Sequence, residues 1–278
     1  MPNKAFLEIT NACNLSCDFC HGTKREIKYI TLHEFEKALK NLNNWADYLY
    51  FHLMGEPLLH KELPEFLELA HNYGYRVILT TNGTLIKKRC DALLSARSLH
   101  KISISLHCAE ANEQGFPLDK YLDSCFDFCR KAAKRNIISV MRLWNIGGKE
   151  SLNGYILEKM RAFFGSEWKE IYSGYKIEDY VFLEWGERFD WPDKALQPIS
   201  NNHTCYGLRD QIGILSDGSV VPCCLDAEGC IRLGNIFEEG IDEILNSERA
   251  LNLKRSFEAR NIKEPLCIRC GYASKLRK

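Results

Sequence analysis

A regular exchange of apolar runs with amphipathic stretches, from residue 5 to about 185, limits this chain's possible folds more than any other feature. Strands that alternate with helices pack as βαβ units around a parallel sheet. The first strand is expected near 5–10. A helix is expected over about 31–43, where Thr31 and Glu34 form a capping box and Leu32, Phe35, Leu39 and Leu42 a stripe. Strands at 48–54 and 76–81 and helices at 61–73 and 85–97 come next. Lys101 to His107 is the clearest strand, with Ile102, Ile104 and Leu106 on one face and Ser103, Ser105 and His107 on the other. A helix over 117–135, a strand over 137–144, a helical stretch near 151–164 and a strand over 179–185 complete six β/α units. Six is too few for the closed eight-stranded barrel. In open sheets of this kind ligands lie beyond the carboxyl ends of the strands.

After about residue 186 the texture changes. An irregular linker runs to 204, and 211–216 with 219–223 read as a hairpin about Asp217-Gly218. Helices are expected over about 237–246 and 248–259, and the tail carries Cys267-Ile268-Arg269-Cys270.

The chain has 278 residues, 13 of them cysteine, which is dense for idle thiols. A disulfide framework suits a small exported chain, and nothing here reads as a signal peptide, so metal clusters in the cytoplasm are the expectation. Net charge is zero and no apolar run reaches the roughly 18 residues of a membrane span, so neither nucleic acid nor membrane is an expected partner. Cys13, Cys17 and Cys20 lie within eight residues, directly after the first strand. Three thiolates suit an iron–sulfur cubane with one iron left open, or zinc with His21 as fourth ligand. Cys205, Cys223, Cys267 and Cys270 make a closed set of four, suited to a full cubane or to zinc. Cys90, Cys108, Cys125 and Cys129 read as core. Cys224 comes directly after a candidate ligand, and strand alternation would turn it the other way.

The C-x3-C-x2-C spacing with Phe19 before the last cysteine resembles the radical S-adenosylmethionine (SAM) superfamily. Met54-Gly55-Glu56-Pro57 is similar to its G-G-E-P segment, with Met54 in place of the first glycine, and Thr80-Thr81-Asn82-Gly83 to its T-N-G segment. Ser105 and Arg142 match positions that contact SAM in relatives. The four later cysteines, with Gly218 and Leu233-Gly234-Asn235, resemble the SPASM/twitch extension in its one-cluster form.

The resemblance implies an α/β fold, a partial (β/α)6 barrel over 1–186, a linker over 187–204 and a small α+β twitch-like domain over 205–278. It implies a SAM-binding [4Fe-4S] cluster on Cys13, Cys17 and Cys20. It also implies SAM contacts from Phe19, Gly55, Glu56, Pro57, Thr80, Asn82, Ser105 and Arg142, and one auxiliary [4Fe-4S] cluster. The implied activity is reductive cleavage of SAM and hydrogen abstraction from a small molecule or peptide. A net oxidation would use the auxiliary cluster as electron acceptor, with flavodoxin or ferredoxin as donor. The alternatives are an epimerase with Cys224 as hydrogen-atom donor, and a non-catalytic cluster-binding protein.

Overall fold

The computed structural model describes residues 3–43, 45–112 and 117–277. In chain order the first elements are β1 (Lys4–Leu7), α1 (Leu32–Leu42), β2 (Tyr48–Phe51), α2 (Leu63–Asn72) and β3 (Arg76–Thr81). Next come α3 (Ile86–Ser95), β4 (Leu99–Ser105), α4 (Leu118–Ala133), β5 (Ile138–Ile146) and α5 (Asn153–Phe164). After these lie the strands β6 (Lys169–Ile171), β7 (Gly174–Glu178), β8 (Val181–Glu187), β9 (Gln211–Ile214), β10 (Ser219–Val221) and β11 (Gly234–Asn235), then α6 (Ile241–Leu245) and α7 (Glu248–Glu258). The chain divides into two compact units, one of Met1–Ala12, His21–Gly55 and Phe189–Lys278, the other of Cys13–Cys20 and Glu56–Arg188.

In the first unit β1 pairs in parallel with both β2 and β9. The β9–β10 hairpin and β11 continue the sheet antiparallel. The expected capping box starts α1, with Thr31 accepting from Glu34 N and Glu34 from Thr31 N. Phe35, Ala38, Leu39 and Leu42 bury its apolar face. Glu8, just past β1, is enclosed. It accepts from the backbone N–H of Met54 and Ser216 (both 3.1 Å) and from Arg25 Nη2 (2.8 Å). One side chain therefore ties the end of β2 and the hairpin turn to β1.

In the second unit β3, β4, β5 and β8 are parallel, and β7 and β6 extend the edge antiparallel. All six expected strands of the β/α series are present. On β4, Ile102 and Ile104 are fully buried. On α4, Cys125, Phe126, Phe128 and Cys129 are buried as well. Each such large apolar side chain contributes about 1.5–3 kcal/mol.

The expected strand 101–107 stops at Ser105. Residues Leu106–Cys108 turn as a 3-10 helix, so Leu106 and His107 are both buried and the alternation does not reach them. The hairpin of β6 and β7 was not expected from the sequence.

Candidate functional site

The loop Cys13–Cys20 is fastened, within its unit, to segments just beyond the end of each parallel strand. Past β3, Asn82 Nδ2 donates to Asn14 Oδ1 (2.9 Å) and Asn14 Nδ2 to Thr84 Oγ1 (2.9 Å). Past β4, Asn112 bonds to the backbone of Ser16 and to Cys17. Past β5, Lys149 pairs with Asp18 at 3.3 Å, and past β8 Arg188 Nη2 donates to the Asp18 carbonyl at 3.1 Å. The loop thus sits at the carboxyl ends of the strands, where open α/β sheets bind ligands. Cys13 and Cys20 are exposed and Cys17 is half-buried. Partial burial raises the Cys13 thiol and pushes Cys17 up to about 11. Asn82 Nδ2 lies 3.9 Å from Cys13 Sγ and Asn112 Nδ2 3.1 Å from Cys17 Sγ, so side-chain amides face two of the three sulfurs.

The corner after β3 is held from within. Glu56 is buried, and its carboxylate accepts from Leu58 N (3.0 Å), Thr81 Oγ1 (2.7 Å) and Asn82 N (2.7 Å). Burial pushes its carboxyl up to about 7, against the pull of these three bonds. Gly83 takes a left-handed φ of +79°, and a Cβ there would meet Ile104, Cys125 and Tyr121 at 2.9 to 3.1 Å. In the first unit Gly55 has φ +80°, and a Cβ would lie 2.3 Å from the Thr10 carbonyl. Glycine is required there by close backbone approach.

Pro57 opens a 3-10 turn, Pro57–Leu59. Thr80 Oγ1 is buried and, among the described residues, has no hydrogen-bond partner, while Thr80 itself pairs with Ser103 across β3 and β4. Ser105 and Arg142 stand opposite each other on β4 and β5. The Arg142 guanidinium packs 4.4 Å from the Trp144 ring and its Nε is 3.4 Å from Glu184 Oε2. Phe19 packs on His107 at 4.7 Å between ring centres, and burial lowers the imidazole to about 4, so that ring is neutral.

The four later cysteines converge on one apolar cavity of the first unit, which Cys205, Cys223, Cys267 and Cys270 line with Tyr206 and Tyr272. Burial raises all four thiols. Gly207 N donates to Cys205 Sγ at 3.3 Å.

Cys224 lines the same cavity, contrary to the expectation that it turns away. The physical reason is that β10 ends at Val221. Pro222 has no N–H to continue the ladder, so alternation does not extend to Cys224. Cys224 also packs against the buried apolar cluster that includes Phe6, Leu53, Met54 and Val221. Cys108, Cys125 and Cys129 are core, as expected, whereas Cys90, expected there too, is only half-buried.

The donor set fits iron–sulfur clusters. Thiolate sulfur is the ligand such clusters take, and the amides facing Cys13 and Cys17 complement charge on sulfur. Among the described residues, no three His, Cys, Asp or Glu side chains converge tightly enough to hold a single metal ion. Zinc draws four donors to within about 2.3 Å of one point; a cubane spreads its thiolates over separate corners. Asn112, which the sequence reading missed, is a lone asparagine in an irregular loop, where no periodicity marks it.

Residues 7–148 match the profile of the Radical SAM superfamily. Residues 205–271 match SPASM, an iron–sulfur cluster-binding domain. The chain is 35% identical over 288 residues to a probable GTP 3′,8-cyclase of Methanococcus maripaludis, covering 85% of this chain and 89% of that protein. It is 29% identical over 101 residues to the Fe-coproporphyrin III synthase of Methanosarcina barkeri, a match that spans 35% of this chain and only 25% of that protein. Two solved structures share the fold. BtrN in complex with AdoMet and 2-DOIA gives a TM-score of 0.62 at 19% identity, over 97% of this chain and 93% of that one. Streptococcus suis SuiB bound to the precursor peptide SuiA gives 0.59 at 15%, over 100% and 73%. Among the described residues no helix is long and apolar enough to cross a membrane.

Proposed function

The chain belongs to the radical SAM superfamily and carries a SPASM domain, and from that premise we propose that it is a radical SAM oxidoreductase of the twitch type. Its radical SAM domain takes a [4Fe-4S] cluster and SAM, and its SPASM domain an auxiliary iron–sulfur cluster. We assign the first cluster to Cys13, Cys17 and Cys20 and a single auxiliary cluster to Cys205, Cys223, Cys267 and Cys270. The domains run over 1–186 and 205–278, joined by 187–204. The bound groups supply a 5′-deoxyadenosyl radical able to take hydrogen from an unactivated C–H bond.

The protein's own residues do the positioning. Asn82 and Asn112 hold the loop of the first three cysteines, and Glu56 fixes the backbone of Asn82. Phe19, Pro57, Thr80, Ser105 and Arg142 would contribute SAM contacts together with that corner. Arg142 offers a planar donor fork suited to a carboxylate, with Glu184 as its partner in the pair. The observation that carries the reading is the loop of three thiols anchored past every parallel strand of its unit.

The substrate is a small molecule or a peptide, oxidised by loss of two hydrogens. BtrN is seen with 2-DOIA and SuiB with a precursor peptide, and these support the two classes. A flavodoxin or ferredoxin would supply electrons, in the cytoplasm.

A second reading, redox-neutral cyclisation of a purine nucleotide, draws on the 85% of the chain that matches the probable GTP 3′,8-cyclase. Four later thiols make a closed set with no position left for a substrate, which favours oxidation. The epimerase reading would need Cys224 to reach the substrate, and Cys224 stands among the four.

Anaerobically reconstituted protein given dithionite and SAM should form 5′-deoxyadenosine, and Cys17→Ala should form none; equal formation by both overturns the assignment. Against a panel of aminocyclitols and short peptides, oxidation gives a product two hydrogens lighter. Solvent deuterium in a product of unchanged oxidation state would instead favour the epimerase.

A further inference from the structure

The side chain of Asn112 spends three of its hydrogen-bonding positions on one task. Its Oδ1 accepts from the backbone N–H of Ser16 at 3.0 Å. Its Nδ2 donates to the Cys108 carbonyl at 2.7 Å and to Cys17 Sγ at 3.1 Å. Turning the amide over would set oxygen against the Cys108 carbonyl and N–H against the Ser16 N–H, so the three bonds fix its orientation. The two amide hydrogens therefore have two distinct acceptors, one of them the central thiol of the loop.

We propose that Asn112 is a positioning residue for the first cluster, whose N–H bond to Cys17 Sγ stabilises the reduced, more negative state and raises the cluster's potential. The inference rests on Cys17 being a ligand. Reduction places added negative charge on the cluster and its sulfurs, and an N–H dipole aimed at a ligating sulfur lowers the cost of that charge. Asn82 makes a longer contact of the same kind, with one N–H of Nδ2 directed at Cys13 Sγ at 3.9 Å and the other at Asn14 Oδ1 at 2.9 Å, so the 3.1 Å bond of Asn112 is the stronger of the two.

The test is an EPR-monitored redox titration of the reconstituted protein, tracking the cluster whose signal changes when SAM is added. Asn112→Leu removes all three bonds. Asn112→Asp keeps an acceptor for Ser16 N–H and replaces the donor to sulfur by a negative charge, so its shift should exceed that of the neutral Asn112→Leu. Both should shift the potential downward, so that about a tenfold smaller fraction is reduced at a fixed potential, equivalent to about 59 mV for one electron. Iron per chain is measured on the same samples. A cluster retained at full iron content with unchanged potential in Asn112→Asp overturns the proposal, because Asn112 would then be only a brace. A SAM-responsive signal that survives in Cys17→Ala shows instead that the ligand assignment beneath it is wrong.

Discussion

Each compact unit supports its cysteines with a buried carboxylate, and the two carboxylates differ in how their charge is met. Glu8 anchors the turn of the hairpin that leads to Cys223, and the guanidinium of Arg25 lies against it at 2.8 Å. Glu56 anchors the Asn82 corner that faces Cys13, and it has three donors and no cation within bonding distance among the described residues. A paired charge makes a strong tie that fails badly when broken. An unpaired one is held by neutral donors alone, and burial pushes it up to about 7. The cysteines differ in the same way: the first set stands partly open on its loop, whereas the second lines an apolar cavity.

The comparison breaks most visibly at Arg25. Arg25→Leu leaves the enclosed Glu8 charge without its partner, at a cost of about 3–5 kcal/mol, read as a large drop in the denaturant midpoint. A loss no larger than that of a surface variant would mean that Ser216 and Met54 alone hold Glu8.

Glu56→Gln turns an amide N–H₂ toward a backbone N–H, that of Leu58 or that of Asn82, which can only donate. One backbone N–H loses its acceptor, and the expected cost is about 1–3 kcal/mol. A stability equal to that of the parent would show that Glu56 is already protonated.

The same site sets a pH dependence. The Glu56 carboxyl titrates near 7 in the folded chain, against 4.5 for the free group. Between those values the folded state binds more protons than the unfolded one, so stability falls as pH rises from 4.5 toward 7. Chemical denaturation across that window should show the decline in the parent and a flatter profile in Glu56→Gln; identical slopes would contradict the account.

The smallest effect is expected at Tyr121. Its hydroxyl donates to the Asn82 carbonyl at 2.8 Å, and Cys108 Sγ donates to the same oxygen at 3.2 Å. Tyr121→Phe leaves that second donor in place, so thermal unfolding should show a cost of only about 0.5–1.5 kcal/mol. A larger loss would mean that the thiol does not substitute.

What the sequence made legible was local. The capping box at Thr31, the strand Arg76–Thr81 and the hairpin about Gly218 carry their signals within a few residues, and each forms as expected. The three-residue strand Lys169–Ile171 is mostly exposed and shows no alternation, so nothing marks it in advance. The parallel pairing of β9 with β1 joins positions about two hundred residues apart, which no local pattern reports. Cys224 was misread because alternation was carried past Pro222, where the ladder has no N–H to continue it. Spacing singled out the loop of Cys13, Cys17 and Cys20. Asn112, 95 residues from Cys17, could be found only in three dimensions.

The most direct test is the iron and sulfide content of anaerobically reconstituted protein beside a Cys13/Cys17/Cys20→Ala variant. Two cubanes give about eight irons per chain in the parent and about four in the variant. About four in the parent and almost none in the variant, with zinc present, would contradict an auxiliary cluster on the later cysteines and remove the proposed electron acceptor.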